Sequence, residues 1–184
     1  MRIIGCFNVF NEAEHLEESL KSVRDKVDLI VLVDGPYAKF PHQFPYSTDG
    51  TIEIAKKYVD ILKTQAKAWP SEIFKRNQYL VGEPGDIYLV IDGHEIWTGS
   101  FIPPFGNYRI KWKLTDGWHE TFRMFEHKPG IHYKQFHYSI WIDDKCLGQD
   151  FPIYPHGYLT HLESKDKLRL EAKKKYYSLP NFDN

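Results

Sequence analysis

The 184-residue sequence predicts an α/β protein of one domain. A mostly parallel sheet flanked by helices precedes an antiparallel, aromatic-rich second half and a C-terminal helix. In residues 1–95, short apolar runs alternate with segments of helical periodicity, which is typical of parallel sheets covered by helices. In residues 96–160, segments such as NYRIKWKL and ETFRMFEH alternate apolar and polar residues, which indicates antiparallel strands. Residues 161–184 are charged and predict a helix and a tail.

Residues 2–34 predict a strand, a helix and a second strand. RIIGCFNVF is a short apolar run. The segment after it carries apolar residues at helical spacing, with Asn11 as the predicted N-cap. VDLIVLVD, residues 27–34, is again apolar and ends in an acid.

Residues 47–92 repeat this alternation. STDGTIEIAKKYV predicts a helix capped by one of its first three residues. PSEIFKRNQYLVG predicts a third helix, with Pro70 near its start and Gly82 near its end. GDIYLVID, residues 85–92, predicts the next strand. Before these elements, PYAKFPHQFPY, residues 36–46, has the proline content of a loop.

Polar side chains stand at or just beyond the ends of the predicted strands. They are Asn8, Asn11, Asp34 and Asp92. Ligands of parallel α/β sheets bind beyond the carboxyl ends of the strands. The sequence therefore predicts a ligand site at this edge, and the run IYLVIDGHEIW, which ends in three polar side chains within four residues, marks its centre.

Composition excludes several classes of protein. The net charge is −1 and acids and bases are interleaved, so no nucleic-acid partner is predicted. The two cysteines are far apart, which favours a reducing compartment and argues against a disulfide scaffold. No apolar run approaches the roughly 18 residues of a membrane span. We therefore expect no transmembrane segment and a cytoplasmic location, with a peripheral membrane contact left open.

The ordered motifs of residues 2–95 resemble the nucleotide-sugar-binding half of family 2 glycosyltransferases, which have the GT-A fold. The motifs are an Asn-Glu pair after the first strand, an acid ending the second, an S-T-D-G-T helix start, an Arg-Asn pair and a D-x-D-like motif at residues 92–94. TFRMF, FHYSIW and YPHGYL resemble later segments of small members of that family. The resemblance implies transfer of a sugar, with inversion, from a nucleoside-diphosphate sugar to an acceptor hydroxyl.

The resemblance also implies a set of residues that bind the nucleotide sugar. They are Asn11, Glu12, Asp34, Asp49, Arg76 and Asp92. Some of these residues have structural roles open to them as well. Asn11 is equally suited to an N-cap and Glu12 to an acid in the first helical turn, whereas Asp49 is better suited to a cap that shapes the site than to a ligand contact. Arg76, or its neighbour Lys75 in its place, would bind the diphosphate, and a solvated helix face is the alternative for either.

A divalent cation, Mn²⁺ or Mg²⁺, is implied as the cofactor, bound by Asp92 and His94. His94 stands where the family has an acid, and imidazole favours Mn²⁺. His156 is a candidate for a further ligand. A local hydrogen bond is the alternative role for His156.

The second half is expected to hold the acceptor and the catalytic base. An inverting transferase needs a base that takes the proton of the acceptor hydroxyl. Glu120 and His137 are the candidates, and Asp143 and Asp144 are nearby alternatives. The family has a His-Glu pair where this chain has His137 followed by Tyr138. A glycan, a lipid and a protein all remain possible acceptors.

Two other functions stay open. A degenerate, non-catalytic module that binds a nucleotide sugar or a glycan would keep the same strand-end residues. A sugar nucleotidyltransferase would need a glycine-rich, basic phosphate loop after the first strand, and FNVFNEAEHL has none. The loop of residues 36–46 departs from the family pattern, and a lid, an acceptor contact and a tolerated insertion all fit its position.

Overall fold

The computed structural model describes residues 1–135, 139–147, 150–165 and 167–178. The strands are β1 Ile3–Val9, β2 Leu29–Asp34, β3 Ile61–Lys63, β4 Ile87–Asp92, β5 Glu95–Gly99, β6 Tyr108–Leu114, β7 Gly117–Glu126, β8 Ile131–Tyr133, β9 Ile140–Ile142, β10 Lys145–Cys146 and β11 Ile153–His161. The helices are α1 Ala13–Arg24, α2 Thr51–Tyr58, α3 Glu72–Asn77 and α4 Lys167–Tyr177. Among the described helices, none has the length and apolar character needed to cross a membrane.

In the described part of the chain, eight strands form one sheet in the order β3-β2-β1-β4-β7-β6-β11-β5, and β10-β9-β8 form a smaller antiparallel sheet. The first four strands of the larger sheet are parallel, and β7 runs antiparallel to β4 and β6. This topology confirms the predicted fold class, a mostly parallel α/β sheet flanked by helices. The pairing of β6 with β11 is parallel, whereas the sequence predicted antiparallel strands throughout the second half. The long connection through the small sheet makes a parallel return possible.

Alternation along β1 and β4 sends side chains into two hydrophobic cores, one on each face of the sheet. Phe7 and Leu89 belong to the first core, which also contains Leu20 of α1. Cys6 and Val90 belong to the second. Because both faces are covered, the strands are apolar along their length. Burial of a side chain such as Leu20 contributes about 2 kcal/mol.

The large sheet curls back on itself between β4 and β5. Gly93 and His94 alone separate these strands, yet β5 lies at the edge of the sheet farthest from β3, where it pairs with β11. The first residue of β5, Glu95, stays at the end of β4, because its carboxylate accepts a hydrogen bond from the backbone N–H of Asp92 (2.7 Å). Its carbonyl accepts another from the hydroxyl of Ser19 in α1 (2.5 Å). The end of β4, the start of β5 and the end of β11 therefore meet.

A β-bulge interrupts β7. Tyr108 of β6 pairs with Met124, but the next residue, Arg109, pairs with Phe122. Arg123 is thus the extra residue of β7. A bulge re-aims the side chain that it carries, and bulges are frequent beside functional sites.

α3 is shorter than the sequence predicted, at both ends. It begins after Ser71, whose side chain accepts a hydrogen bond from the backbone N–H of Phe74 (3.1 Å). Its last residue, Asn77, exchanges two hydrogen bonds with the backbone of Tyr133 in β8 (2.7 and 3.1 Å). Gly82 lies well beyond the helix and donates its N–H to the hydroxyl of Tyr88 (2.7 Å). The contacts with Tyr133 are long-range, so a local sequence pattern does not reveal them.

Candidate functional site

The carboxyl ends of β1, β2 and β4 meet at one edge of the sheet. β1 lies between the other two strands, with Val9 opposite Asp34 and Asn8 opposite Asp92. Neighbouring strands are about 4.8 Å apart, so the backbones of the two acids lie about 10 Å apart across β1. The structure therefore brings together the strand-end acids that the sequence singled out.

Asp34 is buried, and its carboxylate holds Ser47, which precedes α2, in place. Its Oδ1 accepts a hydrogen bond from the hydroxyl of Ser47 (2.5 Å), and its Oδ2 accepts one from the N–H of the same residue (3.0 Å). The Ser47 hydroxyl in turn accepts a hydrogen bond from the N–H of Asn11 (2.7 Å). Burial raises the pKa of Asp34, and the hydrogen bonds from Ser47 oppose that rise. In this structure Asp34 positions a loop and exposes no oxygen to solvent.

Asn11 and Asp49 join the loop after β1 to the start of α2. The side-chain oxygen of Asn11 accepts a hydrogen bond from the N–H of Thr48 (3.0 Å). Asp49 accepts from the N–H groups of Ala13 (3.0 Å) and Thr51 (3.1 Å). Asp49 therefore acts as a cap for α1 and shapes the site, one of the two roles that the sequence left open. The prediction of Asn11 as the N-cap of α1 is wrong, because the helix starts at Ala13 and its cap comes from Asp49 across the loop.

Lys75 of α3 connects the carboxyl ends of β1 and β2. Its ammonium donates to the backbone oxygens of Val9 and Gly35, both at 2.6 Å, and lies 5.4 Å from the ring centroid of Tyr37. The side chain is fully buried, so the solvated helix face considered for it is excluded. Burial lowers the pKa of Lys75 to about 7.

Five charged side chains form a buried chain of ion pairs around the end of β4. Arg76 binds Glu72 (2.8 Å) and approaches Asp92 Oδ1 (3.6 Å). Arg123, aimed here by the β-bulge, approaches Asp92 Oδ2 (3.4 Å) and binds Glu95 (2.9 Å). The side chain of Asp92 is the most exposed of the five, at 17%. Asp92 is thus the point where this network reaches the surface.

The two guanidinium groups decide the protonation of Asp92. Burial alone would raise the pKa of this carboxyl, but Arg123 and Arg76 outweigh burial and hold it below its usual range. Burial raises the pKa of Glu95, although Arg123 opposes the rise. Asp92 is therefore an ionised carboxylate at neutral pH.

His94 lies beside Asp92 in a second small cluster. Its Nδ1 is 3.1 Å from the Oε2 oxygen of Glu12, and its ring meets that of His161 edge to face, with centroids 4.6 Å apart. His161 reaches this position because it pairs with Glu95 in the β5–β11 ladder. Burial lowers the pKa of His161 to about 4, so its ring is neutral at pH 7. From the sequence alone, His161 had less support as a site residue than His156.

His156 lies elsewhere. It is exposed and sits five residues before His161 along β11, a separation of roughly 16 Å in a strand. Its ring lies 5.5 Å from that of Tyr154. The structure therefore does not bring His156 to Asp92 and His94.

The side chains around Asp92 decide whether the predicted cation fits. Among the residues that the structure describes, no group of three or more His, Cys, Asp or Glu side chains is arranged to hold a metal ion. Asp92 already faces two guanidinium groups, and His94 faces Glu12. The described residues do not by themselves fit Mn²⁺ or Mg²⁺, and metal binding stays a prediction.

No protein-family model matches this chain, and no curated protein matches it. Part of the chain is similar to solved structures of TarS from S. aureus. One is 19% identical, with a TM-score of 0.49, over 64% of this chain and 22% of that chain. TarS 1–349 in complex with UDP is 19% identical, with a TM-score of 0.46, over 62% of this chain and 36% of that chain. TarS 1–349 in complex with UDP-GlcNAc is 20% identical, with a TM-score of 0.42, over 53% and 28%. The chain thus spans little more than a third of these structures at most, and family 2 membership stays a prediction.

Gly93 allows the β4–β5 turn to pack closely on the loop after β1. A Cβ atom at this position would lie 2.9 Å from Val9 Cγ1 and 3.2 Å from the Cβ of Glu12. A D-x-D-like motif would use a glycine here to let phosphates approach. In this structure the space beside Gly93 is filled by the protein itself.

The candidate bases lie in the second half. Glu120 is on β7, three residues before Arg123, and forms an ion pair of 2.6 Å with Arg109. His137 lies outside the described residues. Asp143 and Asp144 form the turn between β9 and β10, where Asp144 pairs with Lys134 (3.2 Å). The catalytic base therefore stays a prediction.

The inserted loop of residues 36–46 packs at the strand tips. The hydroxyl of Tyr37 accepts a hydrogen bond from the side-chain amide of Asn8 (2.9 Å). Trp69 exchanges backbone hydrogen bonds with Pro36 and Ala38 (2.9 and 2.8 Å). The insertion is therefore held against both β1 and the segment before α3.

Sequence reasoning missed Arg123 and Glu95. Arg123 stands in TFRMF, an apolar strand where a charged residue is unusual. Glu95 is the third polar residue of DGHE. The available signals were a cation within the apolar strand TFRMF and an acid just after the apolar strand that ends at Asp92. Each of them indicates a buried ion pair.

Proposed function

We propose that this protein transfers a sugar from a nucleoside-diphosphate sugar to an acceptor hydroxyl. One observation carries the proposal: Asp92, partly exposed at the carboxyl end of β4, is held ionised by two buried arginines. Ligands of parallel sheets bind at this edge. A carboxylate with fixed orientation suits the hydroxyl groups of a ribose or a sugar.

The surrounding residues divide the work of donor binding. Asp92 accepts a hydrogen bond from a hydroxyl group of the nucleotide sugar. Arg76 and Arg123 place positive charge near the diphosphate, where negative charge develops in the reaction. Asn11 and the segment 47–51 form the neighbouring wall. Asp34 acts through Ser47, which it holds in place.

The reaction is a direct displacement. The acceptor oxygen forms a bond to the anomeric carbon as the bond to the diphosphate oxygen breaks, and the nucleoside diphosphate leaves with the electron pair. The acceptor proton passes to a base. Among the described residues we favour Glu120 over Asp143 and Asp144, and its ion pair with Arg109 must open first. His137 remains the alternative from the sequence.

Thermal unfolding with UDP, GDP, CDP or dTDP, each with Mn²⁺, Mg²⁺ or a chelator, tests the donor site. A ligand at about 100 times its Kd adds roughly 2.7 kcal/mol to the free energy of unfolding. The same measurement on Asp92→Asn tests the residue, and Asp60→Asn is the matched control, since it also removes a carboxylate paired with an arginine. Comparison of the metal and chelator arms tests the predicted cation separately.

The proposal expects stabilisation by one nucleotide that is lost in Asp92→Asn and kept in Asp60→Asn. That nucleotide then selects the donors for assays of nucleoside diphosphate release with candidate acceptors. No stabilisation by any of the four at millimolar concentration, in a well-folded protein, would contradict the donor site.

A non-catalytic binding module is the second candidate. It is favoured by the ion pairs that engage both Asp92 and Glu120. A module of this kind would bind the nucleotide sugar with the same dependence on Asp92 and release no diphosphate. Turnover with candidate acceptors therefore separates the two functions.

A further inference from the structure

An open groove of about 1090 Å³ crosses the face of β7, β6 and β11. Small-molecule sites commonly measure about 300–1,000 Å³, so this groove has room for a ligand of several linked units. Its lining is Arg109, Lys111, Trp118, His119, Glu120, Ile153, Tyr154, Pro155, Gly157 and Tyr158. Part of that lining is basic and part is aromatic.

β6 supplies a row of cations to this face. In RIKWK, Arg109, Lys111 and Lys113 alternate with Ile110 and Trp112, which face the core or pack against it. Successive cations on one face of a strand lie about 7 Å apart, so they repel one another. An anion bound between them relieves that repulsion.

The cations differ in their partners. Arg109 is neutralised by Glu120 at 2.6 Å. Among the described residues, Lys111 and Lys113 form no ion pair; Lys113 lies 5.9 Å from the ring centroid of Trp118. Two lysines are therefore available to a negatively charged ligand.

Aromatic surface lies directly beside these lysines. Trp118 is opposite Lys113 in the β6–β7 ladder and is 55% exposed, although it is a large apolar side chain. Tyr158 is opposite Lys111 in the β6–β11 ladder, and its ring meets that of Trp118 edge to face, with centroids 5.2 Å apart. Exposed aromatic rings pack against the apolar faces of sugars.

We propose that this groove binds an anionic carbohydrate, with Lys111 and, beside Trp118 at the groove's margin, Lys113 for the negative charge, and with Trp118 and Tyr158 for the sugar faces. In its role as the acceptor this ligand rests on the proposed function. Glu120, the candidate base, lines the groove, and it links the groove to the proposed reaction. The negative charge of the ligand is a carboxylate, as in a uronic acid, or a phosphate ester.

Isothermal titration calorimetry at low ionic strength tests this with trigalacturonate and with trehalose 6-phosphate. The neutral counterparts are the methyl ester of trigalacturonate and trehalose. The indole N–H signal of Trp118 in a ¹⁵N-edited NMR spectrum reports the place of binding. Lys111→Gln and Trp118→Ala are the test variants; both residues are exposed, so the fold should tolerate them. Lys145→Gln, an exposed lysine on β10, is the matched control.

We expect at least one anionic sugar to bind, to shift the Trp118 signal and to bind at least about tenfold less tightly in each test variant. Binding should weaken with added salt and remain unchanged in Lys145→Gln. Binding of trigalacturonate would identify the charged group of the ligand as a carboxylate, and binding of trehalose 6-phosphate would identify it as a phosphate ester.

Two results with the sugars would overturn the inference: no binding of either anionic sugar, or equal binding of the neutral counterparts. An oligothymidylate, titrated in the same way as an anionic competitor, would overturn it by binding as tightly as the anionic sugars or more tightly. Stabilisation by a nucleotide without binding of a sugar would exclude the groove as a carbohydrate site and leave the proposed donor site standing. Sugar binding without nucleotide stabilisation would remove the donor site and leave the groove as a carbohydrate site without the acceptor role.

Discussion

Arg123 binds Glu95 through two parallel hydrogen bonds of 2.9 and 3.0 Å, with both side chains wholly buried. The pair joins the bulge of β7 to the first residue of β5. Because the backbone N–H of Asp92 also donates to Glu95, the same contact fixes the end of β4. A bidentate pair of this kind restricts geometry as well as adding energy.

Loss of one partner of this pair should be costly. Arg123→Met removes the guanidinium that pairs with Glu95 and approaches Asp92, so we expect the free energy of unfolding to fall by about 3–5 kcal/mol. Arg123→Met combined with Glu95→Leu should cost less than the two single changes together. Urea unfolding measures both, and Arg24→Met, which breaks the more exposed pair with Asp60, should cost about 1 kcal/mol or less. Additive costs for the two buried changes would contradict the coupling.

Lys75 should make stability depend on pH. Its pKa is about 7 in the folded protein and near 10.5 when unfolded, so the unfolded chain binds more protons between these values. Stability therefore rises with pH over this range, by at most about 1.4 kcal/mol per pH unit. The difference in unfolding free energy between wild type and Lys75→Met should grow from pH 7 upward. A difference that stays flat would show that the pKa of Lys75 is not lowered.

Gly93→Ala should destabilise the turn at the strand tips. The added methyl group meets Val9 and Glu12, and overpacking of this kind costs about 1–3 kcal/mol. Nucleotide stabilisation should weaken too, because the loop after β1 must move. Gly106→Ala is the control: a Cβ there lies 3.9 Å from the nearest neighbour, and its unfolding midpoint should stay close to wild type. Equal unfolding midpoints for the two variants would contradict this prediction, because the loop after β1 would then accommodate the added methyl group without cost.

Glu120→Gln should separate chemistry from donor binding. If Glu120 is the base, the transfer rate falls by about 10²–10⁴-fold, while stabilisation by the nucleotide is unchanged. Glu83→Gln, an exposed acid far along the chain, should transfer at the wild-type rate. An active Glu120→Gln would exclude Glu120 as the base and direct attention to His137.

The parts of the fold that the sequence predicted are those that local pattern determines. β1, β2 and β4 are buried on both faces, so their apolar runs are continuous and their polar ends stand out. Asp34 and Asp92 could be singled out for that reason. The parallel pairing of β6 with β11 depends on how the chain returns to the sheet, and no local pattern encodes it.

The same distinction holds for the candidate site. Arg123 faces Asp92 because of a register shift between β6 and β7, which exists only once the strands pair. The burial of Lys75 and Arg76 follows from the position of α3 against the sheet, whereas each looks like a solvated helix residue in sequence. His161, and not His156, reaches His94 because the β5–β11 register places it opposite Glu95.

β5 leaves the ribosome well before β11, the strand with which it pairs. Until β11 has been synthesised, β5 carries unpaired backbone groups along that edge, and the contact between His94 and His161 cannot form. A nascent strand with an open edge tends to pair with other chains. Translation speed, and chaperones that shield strand edges, should therefore govern how much of this protein reaches its native state.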